Sequence, residues 1–246
     1  MLVRRCITGV VCGVSLLSLS AAWAGVVVSN TRVVYPEDRR EVSVRLTNDG
    51  AQPVLVQAWL DTGDPKANPS ALEVPFTVNP PVFRMDPKRG QTLRLAYTKE
   101  PLPGDRESVF WLNVLEVPTK AAASDGNTLQ FAFRTRLKVF FRPKGLAGSA
   151  AQAPAQIQWA LVPLSDERAG YGLQATNRTP YAVSFSKVSL KAGNQTWDTD
   201  STMVMPDGSE VFPVKAMQAR PSGPVQIEYS TVNDYGAIVD DKAALP

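Results

Sequence analysis

The chain has 246 residues, with 26 basic against 23 acidic side chains, 20 prolines and no histidine. Both cysteines, Cys6 and Cys12, lie near the N-terminus, so the remainder lacks the residues for Ser-His or Cys-His nucleophiles and for the usual zinc and copper ligand sets. The near balance of charge makes nucleic acid a poor partner, and no metal or other cofactor is expected.

The first 24 residues carry Arg4 and Arg5, an apolar run from Ile7 to Leu19, and then Ala22-Trp23-Ala24. This is the order of a secretory signal peptide, with cleavage expected after Ala24. The run is too short to span a bilayer and no later window approaches about 20 apolar residues, so no membrane insertion is expected. Removing Arg4 and Arg5 from the 26 basic residues leaves 24 against 23 acidic ones, a net charge near +1. Both cysteines leave with the signal, so stability must come from packing rather than disulfides.

From Val26 to Tyr35 the chain is β-branched and ends at Pro36, which reads as a first strand. Val42, Val44 and Leu46 alternate with polar residues before the turn Asn48-Asp49-Gly50, a second. Val54 to Leu60 is a third, and Asp61 to Ser70 reads as a loop. Short runs follow at Phe76 to Val78 and Val82 to Met85, broken by Pro80-Pro81, then Leu93 with Leu95, and then the apolar stretch Val109 to Val117.

Leu129 to Pro143 is the most sharply patterned stretch: Leu129, Phe131, Phe133, Leu137, Val139 and Phe141 share one face of an extended segment. Leu129 to Arg142 would measure roughly 45 Å, longer than an ordinary strand. Its alternation fits a half-buried core strand, and pattern alone leaves open whether it does more.

About seven strands with turn signals between them suggest an immunoglobulin-like sandwich. After Pro143 the composition turns small, which reads as a linker over 144–155 between a first domain, 25–143, and a second, 156–246. Strands of the second domain are expected at Ile157 to Leu164, Gly172 to Thr176, Tyr181 to Leu190 and Val225 to Val232. The fold class is all-β, two tandem immunoglobulin-like sandwiches.

No phosphate-binding glycine motif occurs. The adjacent acids Glu37-Asp38 and Asp240-Asp241 read as solvated patches on loops rather than acid/base pairs, so enzyme activity is not expected. A glycosidase-type carboxylate pair is a tertiary fact that sequence does not reveal.

Several stretches together resemble the periplasmic pilus-assembly chaperones of the chaperone–usher pathway, the PapD-like family. They are Thr31 to Pro36, Pro80 to Met85, Leu102 to Ser108, Phe110-Trp111-Leu112-Asn113, Arg136 to Pro143, Asn177 to Tyr181 and Asn233-Asp234-Tyr235-Gly236. The stretch Thr119 to Thr128 resembles the loop of the short-loop branch. The resemblance implies two sandwiches in a boomerang arrangement and a periplasmic location. Its partners would be pilus or fimbrial subunits and an outer-membrane usher. Donor-strand complementation is an established mode of recognition in that family and not something the residue pattern shows.

On that resemblance, Leu129, Phe131 and Phe133 are the donor residues that enter the groove of an incomplete subunit. Arg32 and Lys138 match two basic residues that anchor the subunit's terminal carboxylate, although either alone reads as a solvated strand charge. Glu107, Arg142 and Asp234 match an interdomain charge cluster, against the alternative of three unrelated surface charges. Arg134 and Arg136 read as charges that discourage edge-to-edge pairing. An exposed apolar edge makes self-association of the free protein an expectation. The alternative reading of the whole chain is a structural pilus subunit or adhesin, for which Val26 to Val34 superficially resembles a donor segment.

Overall fold

The computed structural model describes residues 25–69, 72–119, 130–164, 170–200 and 202–245. The expected signal peptide with both cysteines, Leu129, and the expected loop beyond Thr119 lie outside the described residues.

Among the described residues the N-terminal half contains nine strands where the sequence suggests about seven. These are β1 (Val26–Val28), β2 (Arg32–Pro36), β3 (Val42–Asn48), β4 (Val54–Asp61), β5 (Phe76–Asn79), β6 (Val82–Met85), β7 (Gly90–Tyr97), β8 (Ser108–Pro118) and β9 (Phe133–Arg142). One sheet has the order β1-β3-β7-β5 and the other β2-β9-β8-β4-β6. The single strand expected over Val26 to Tyr35 is therefore two, because the chain passes from one sheet to the other between Val28 and Arg32. A run of β-branched residues favours extended backbone throughout and does not mark where a strand changes sheets. The chain changes sheets again between β5 and β6, at Pro80-Pro81, where proline has no N–H to offer a ladder.

Alternation builds the first core. Val44 and Leu46 of β3, Val56 and Leu60 of β4, Leu93 and Leu95 of β7, Leu112 of β8 and Val139 of β9 face one another and are at most 2% exposed. At one end of this core Phe76 packs edge to face on Tyr35, Phe110 and Phe141, with centroids 5.0 to 6.0 Å apart. The buried Tyr35 hydroxyl is satisfied: it donates to the Arg40 carbonyl at 2.9 Å and accepts from the Tyr97 N–H at 3.0 Å.

The C-terminal half contains β10 (Gln158–Pro163), β11 (Tyr171–Thr176), β12 (Val183–Ala192), β13 (Gln195–Asp198), β14 (Met203–Val204), β15 (Ser209–Pro213), β16 (Gln226–Val232) and β17 (Ile238–Ala244). A sheet ordered β10-β11-β15 packs on one ordered β13-β12-β16-β17, with β14 beside β12. Trp159, Phe185, Phe212 and Tyr229 form its centre. The stretch 144–155 is packed, not loose: Ala153 is fully buried in this second core, with Leu146 and Ala150 against it. Asp240 and Asp241 lie on β17, not on a loop. No helix among the described residues is long and apolar enough to cross a membrane.

Candidate functional site

β9 is ten residues long and begins at Phe133, so the extended segment expected from Leu129 is shorter; Gln130 to Ala132 lie outside any strand. On one side β9 pairs with β8 from Phe133, opposite Glu116, to Phe141, opposite Ser108. On the other side it pairs in parallel with β2, but only from Lys138, opposite Arg32, to Arg142, opposite Pro36. From Phe133 to Leu137 that outer edge has no ladder partner among the described residues. Phe131 and Phe133 stand off the end of the sandwich, 61% and 64% exposed, with ring centroids 6.4 Å apart. Leu137, Val139 and Phe141 on the same face are buried.

Arg32 and Lys138 meet where the free edge ends. Partners in a parallel ladder present side chains to the same face, here the one turned toward the second domain. Arg32 is 9% exposed; its Nη1 donates to the Val232 carbonyl at 2.6 Å, its guanidinium lies over the Phe140 ring, and its Nε has no partner. Lys138 Nζ donates to Ser184 Oγ at 3.2 Å. Burial lowers the Arg32 guanidinium below its ordinary value, while Asp234 and Glu107 pull the other way. Burial, and then the neighbouring Arg32 charge, lower the Lys138 amine. Two like charges side by side and partly dried are unfavourable, and among the described residues neither has a carboxylate within salt-bridge distance. Arg32 lines a cleft of about 460 Å³ between the domains together with Phe140 and Ser184, the residue that Lys138 touches.

Glu107, Arg142 and Asp234, which also line this cleft, form one hydrogen-bonded group. Arg142 Nε donates to Glu107 Oε1 at 2.6 Å, and its two terminal nitrogens grip the Asp234 carboxylate at 2.7 and 2.9 Å. The second Glu107 oxygen accepts the Ala182 N–H at 2.9 Å, so the carboxylate joins both domains. Burial pushes the Glu107 carboxyl up, and Arg142 and the Ala182 N–H pull it back. Burial opposes the Arg142 charge, yet the bonds to Asp234 and Glu107 outweigh it and keep Arg142 a cation.

Local sequence explains why these groups arrive there. In Asn233-Asp234-Tyr235-Gly236 the Asn233 Oδ1 accepts the N–H groups of Tyr235 and Ala237, closing a tight turn after β16. Gly236 takes φ +84°, and a Cβ there would stand 2.2 Å from the Thr31 hydroxyl oxygen, so only glycine lets the turn press against the start of β2. The turn thereby delivers Asp234 to Arg142 and follows directly on Val232, whose carbonyl holds Arg32. Likewise Asn177 holds the Tyr181 carbonyl at 2.7 Å and the Thr179 N–H at 3.0 Å, which places the Tyr181 ring under Arg142 and the Ala182 N–H on Glu107.

Sequence reasoning missed Phe140, Ser184 and Tyr181 as members of this site. Phe140 lies on the face opposite the alternating apolar set, in a small interdomain cluster with Val109 and Met203. Its place between Val139 and Phe141 in a continuous apolar run was the available signal. Arg136 is not a free edge charge: it pairs with Asp61 at 2.6 Å and donates to Asn113 Oδ1 at 3.1 Å, while Asn113 Nδ2 donates to Asp61 at 2.7 Å. Asp61 and Asn113 are buried, so this triad ties β4, β8 and β9 together beneath the free edge. Arg134 is exposed and donates to the Pro65 carbonyl at 2.7 Å.

The molecule is thus a two-sandwich β protein with an interrupted edge strand and a pair of cations beside an interdomain cleft. Residues 25–147 match the family model described as pili and flagellar-assembly chaperone, PapD N-terminal domain, and residues 152–243 match the pili assembly chaperone PapD, C-terminal domain. The probable fimbrial chaperone YadV of Escherichia coli is 43% identical over 243 residues, spanning 97% of each chain. The chaperone protein FimB/FhaD of Bordetella pertussis is 38% identical, over 92% of this chain and 90% of that one. Among solved structures the YadV chaperone superposes with a TM-score of 0.78, covering 90% of this chain and 100% of that one at 43% identity. The Pseudomonas aeruginosa CupB2 chaperone gives 0.74, covering 89% and 100% at 38% identity. The chain belongs to the PapD family of pilus-assembly chaperones.

Proposed function

We propose that this protein is a periplasmic, non-enzymatic chaperone that captures pilus subunits by lending them the free edge of β9 and passes them to an outer-membrane usher. The observation that carries this reading is the interruption of the β2–β9 ladder at Arg32 and Lys138, which leaves the outer edge of Phe133 to Leu137 without a partner among the described residues, beside two cations. A guest with its terminal carboxylate on those cations and its last residues along Phe133 to Leu137 runs parallel to β9, continuing the place of β2. Phe131 and Phe133, with Leu129 ahead of them, then enter the guest's groove. Each buried apolar side chain contributes roughly 1.5 to 3 kcal/mol and the backbone adds a ladder. The carboxylate fixes the register, because anchoring one end decides which side chain meets which pocket. The Glu107, Arg142 and Asp234 group sets the angle between the domains and so the width of the cleft. Residues 25–143 and 156–246 act as the two domains, and 144–155 joins them.

The test is co-expression with a subunit lacking its final strand. Arg32→Ala with Lys138→Ala should lower capture roughly 100-fold or more, at about 1.5 to 3 kcal/mol for each charge-assisted bond. Unchanged complex recovery would refute the anchor assignment. The pilus-subunit reading gains no support, since both halves match chaperone models.

A further inference from the structure

At the end of the first sandwich away from the cleft, Glu116 of β8 stands opposite Phe133 in the ladder. Its side chain crosses to the other sheet: the Val26 N–H of β1 donates to Glu116 Oε2 at 2.8 Å. Gly25 packs against the same carboxylate. A Cβ on Gly25 would lie 2.2 Å from one Glu116 carboxylate oxygen and 2.3 Å from the other, so the carboxylate occupies the space a side chain would take. The Gly25 carbonyl accepts the Asp49 N–H at 3.0 Å, which fixes the residue from its other side. The Gly25 nitrogen, bonded to the same Cα, is thereby held within reach of the carboxylate.

Cleavage after Ala24 changes what that nitrogen is. Water adds across the Ala24–Gly25 peptide bond under a leader peptidase, leaving a carboxylate on Ala24 and an amine on Gly25 that takes up a proton. A neutral amide with one N–H becomes an ammonium with three, and charge-assisted bonds are about twice as strong as neutral ones. We propose that the α-ammonium created at Gly25 by signal removal is bound by Glu116, and that this pair positions the donor end of β9. It strengthens the tie of β1 in one sheet to β8 in the other beside Phe133, so the donor edge is braced more firmly in the processed chain. Glu116 is a positioning residue: it acts on Phe133 through the ladder. Nearby charges do not compete for it. Arg134 turns to the Pro65 carbonyl, and Lys88 Nζ donates to the backbone carbonyl of Asp49.

The inference rests on processing at Ala24, so the exported protein is first weighed intact to identify its first residue. Then the α-amine is titrated by NMR after isotopic methylation, in the mature protein and in Glu116→Gln, which keeps an acceptor for the Val26 N–H. Thermal unfolding and amide exchange at Phe133 are compared with a third form carrying three extra residues before Gly25. The amine is expected to titrate above the ordinary range of about 7.7 to 8.0 and to return to it in Glu116→Gln. Each change alone should lower the midpoint by about 1 to 3 °C and speed Phe133 exchange, and the two should not add. An ordinary amine in a chain that begins at Gly25, or additive losses, overturns the pair while leaving the chaperone reading intact. A chain that begins elsewhere overturns the processing reading and the pair with it.

Discussion

The two halves of β9 obey one sequence pattern and meet opposite fates. Val139 and Phe141 lie between β2 and β8 and close a core, with Leu137 buried just ahead of them, whereas Phe133, with Phe131 before it, is exposed and has β8 as its one ladder neighbour among the described residues. The large side chains share one face in both halves. The difference lies in the neighbour: β2 starts at Arg32, and among the described residues every β9 residue before Lys138 is without a second strand. Alternation therefore specifies a face, while the length of the adjoining strand decides whether that face is spent on the protein's own core or kept for a guest.

The sharpest way to break this comparison is to truncate one residue in each half. Phe141→Ala should destabilise the free protein by about 3 to 5 kcal/mol in urea unfolding, because it empties an aromatic cluster that cannot collapse to fill it. A loss below 1 kcal/mol would mean that the inner half is not the structural half. Phe133→Ala should change stability by no more than about 0.5 kcal/mol, since the ring is already in water. It should nonetheless weaken subunit capture by about 1.5 to 3 kcal/mol, roughly ten- to a hundredfold, measured by calorimetry with a strand-deficient subunit. Equal effects of both substitutions on stability would erase the distinction.

The smallest expected effect is at Lys138, on the boundary between the halves. Its amine is held below the ordinary 10.5 by burial and by Arg32, so the folded chain releases this proton at lower pH than the unfolded chain does. The unfolded state binds more protons in that window, and the Lys138 contribution to stability accordingly rises as pH climbs toward 10.5. Capture of a carboxylate should move the other way, falling as the amine loses its charge. Lys138→Met should remove both trends, and parallel rather than opposed trends in the native protein would show that Lys138 does not meet the guest's carboxylate.

Much of this was legible in advance because burial leaves a periodic trace. β4, β5, β6, β7 and β8 fall close to their expected positions, each having one face turned to a core. β17 was missed for the converse reason: it is an edge strand, Ile238 to Ala244, and almost every residue is exposed, so nothing imposes alternation. β13 and β15 are edge strands with the same difficulty. At the site, Arg32 and Lys138 share a ladder position, and Glu107, Arg142 and Asp234 share a hydrogen-bonded group. Arg136 was misread because its partners Asp61 and Asn113 are 75 and 23 residues away, beyond any local pattern.

The sequence by itself determined that the chain is β throughout, that it divides into two cores, and which residues of Leu129 to Phe141 share a face, because the two-residue repeat of a strand is a property of the backbone alone. Tertiary structure decided where that face stops being interior. It also decided that two cations from opposite ends of a domain stand side by side, since only the pairing of β2 with β9 brings Arg32 across from Lys138.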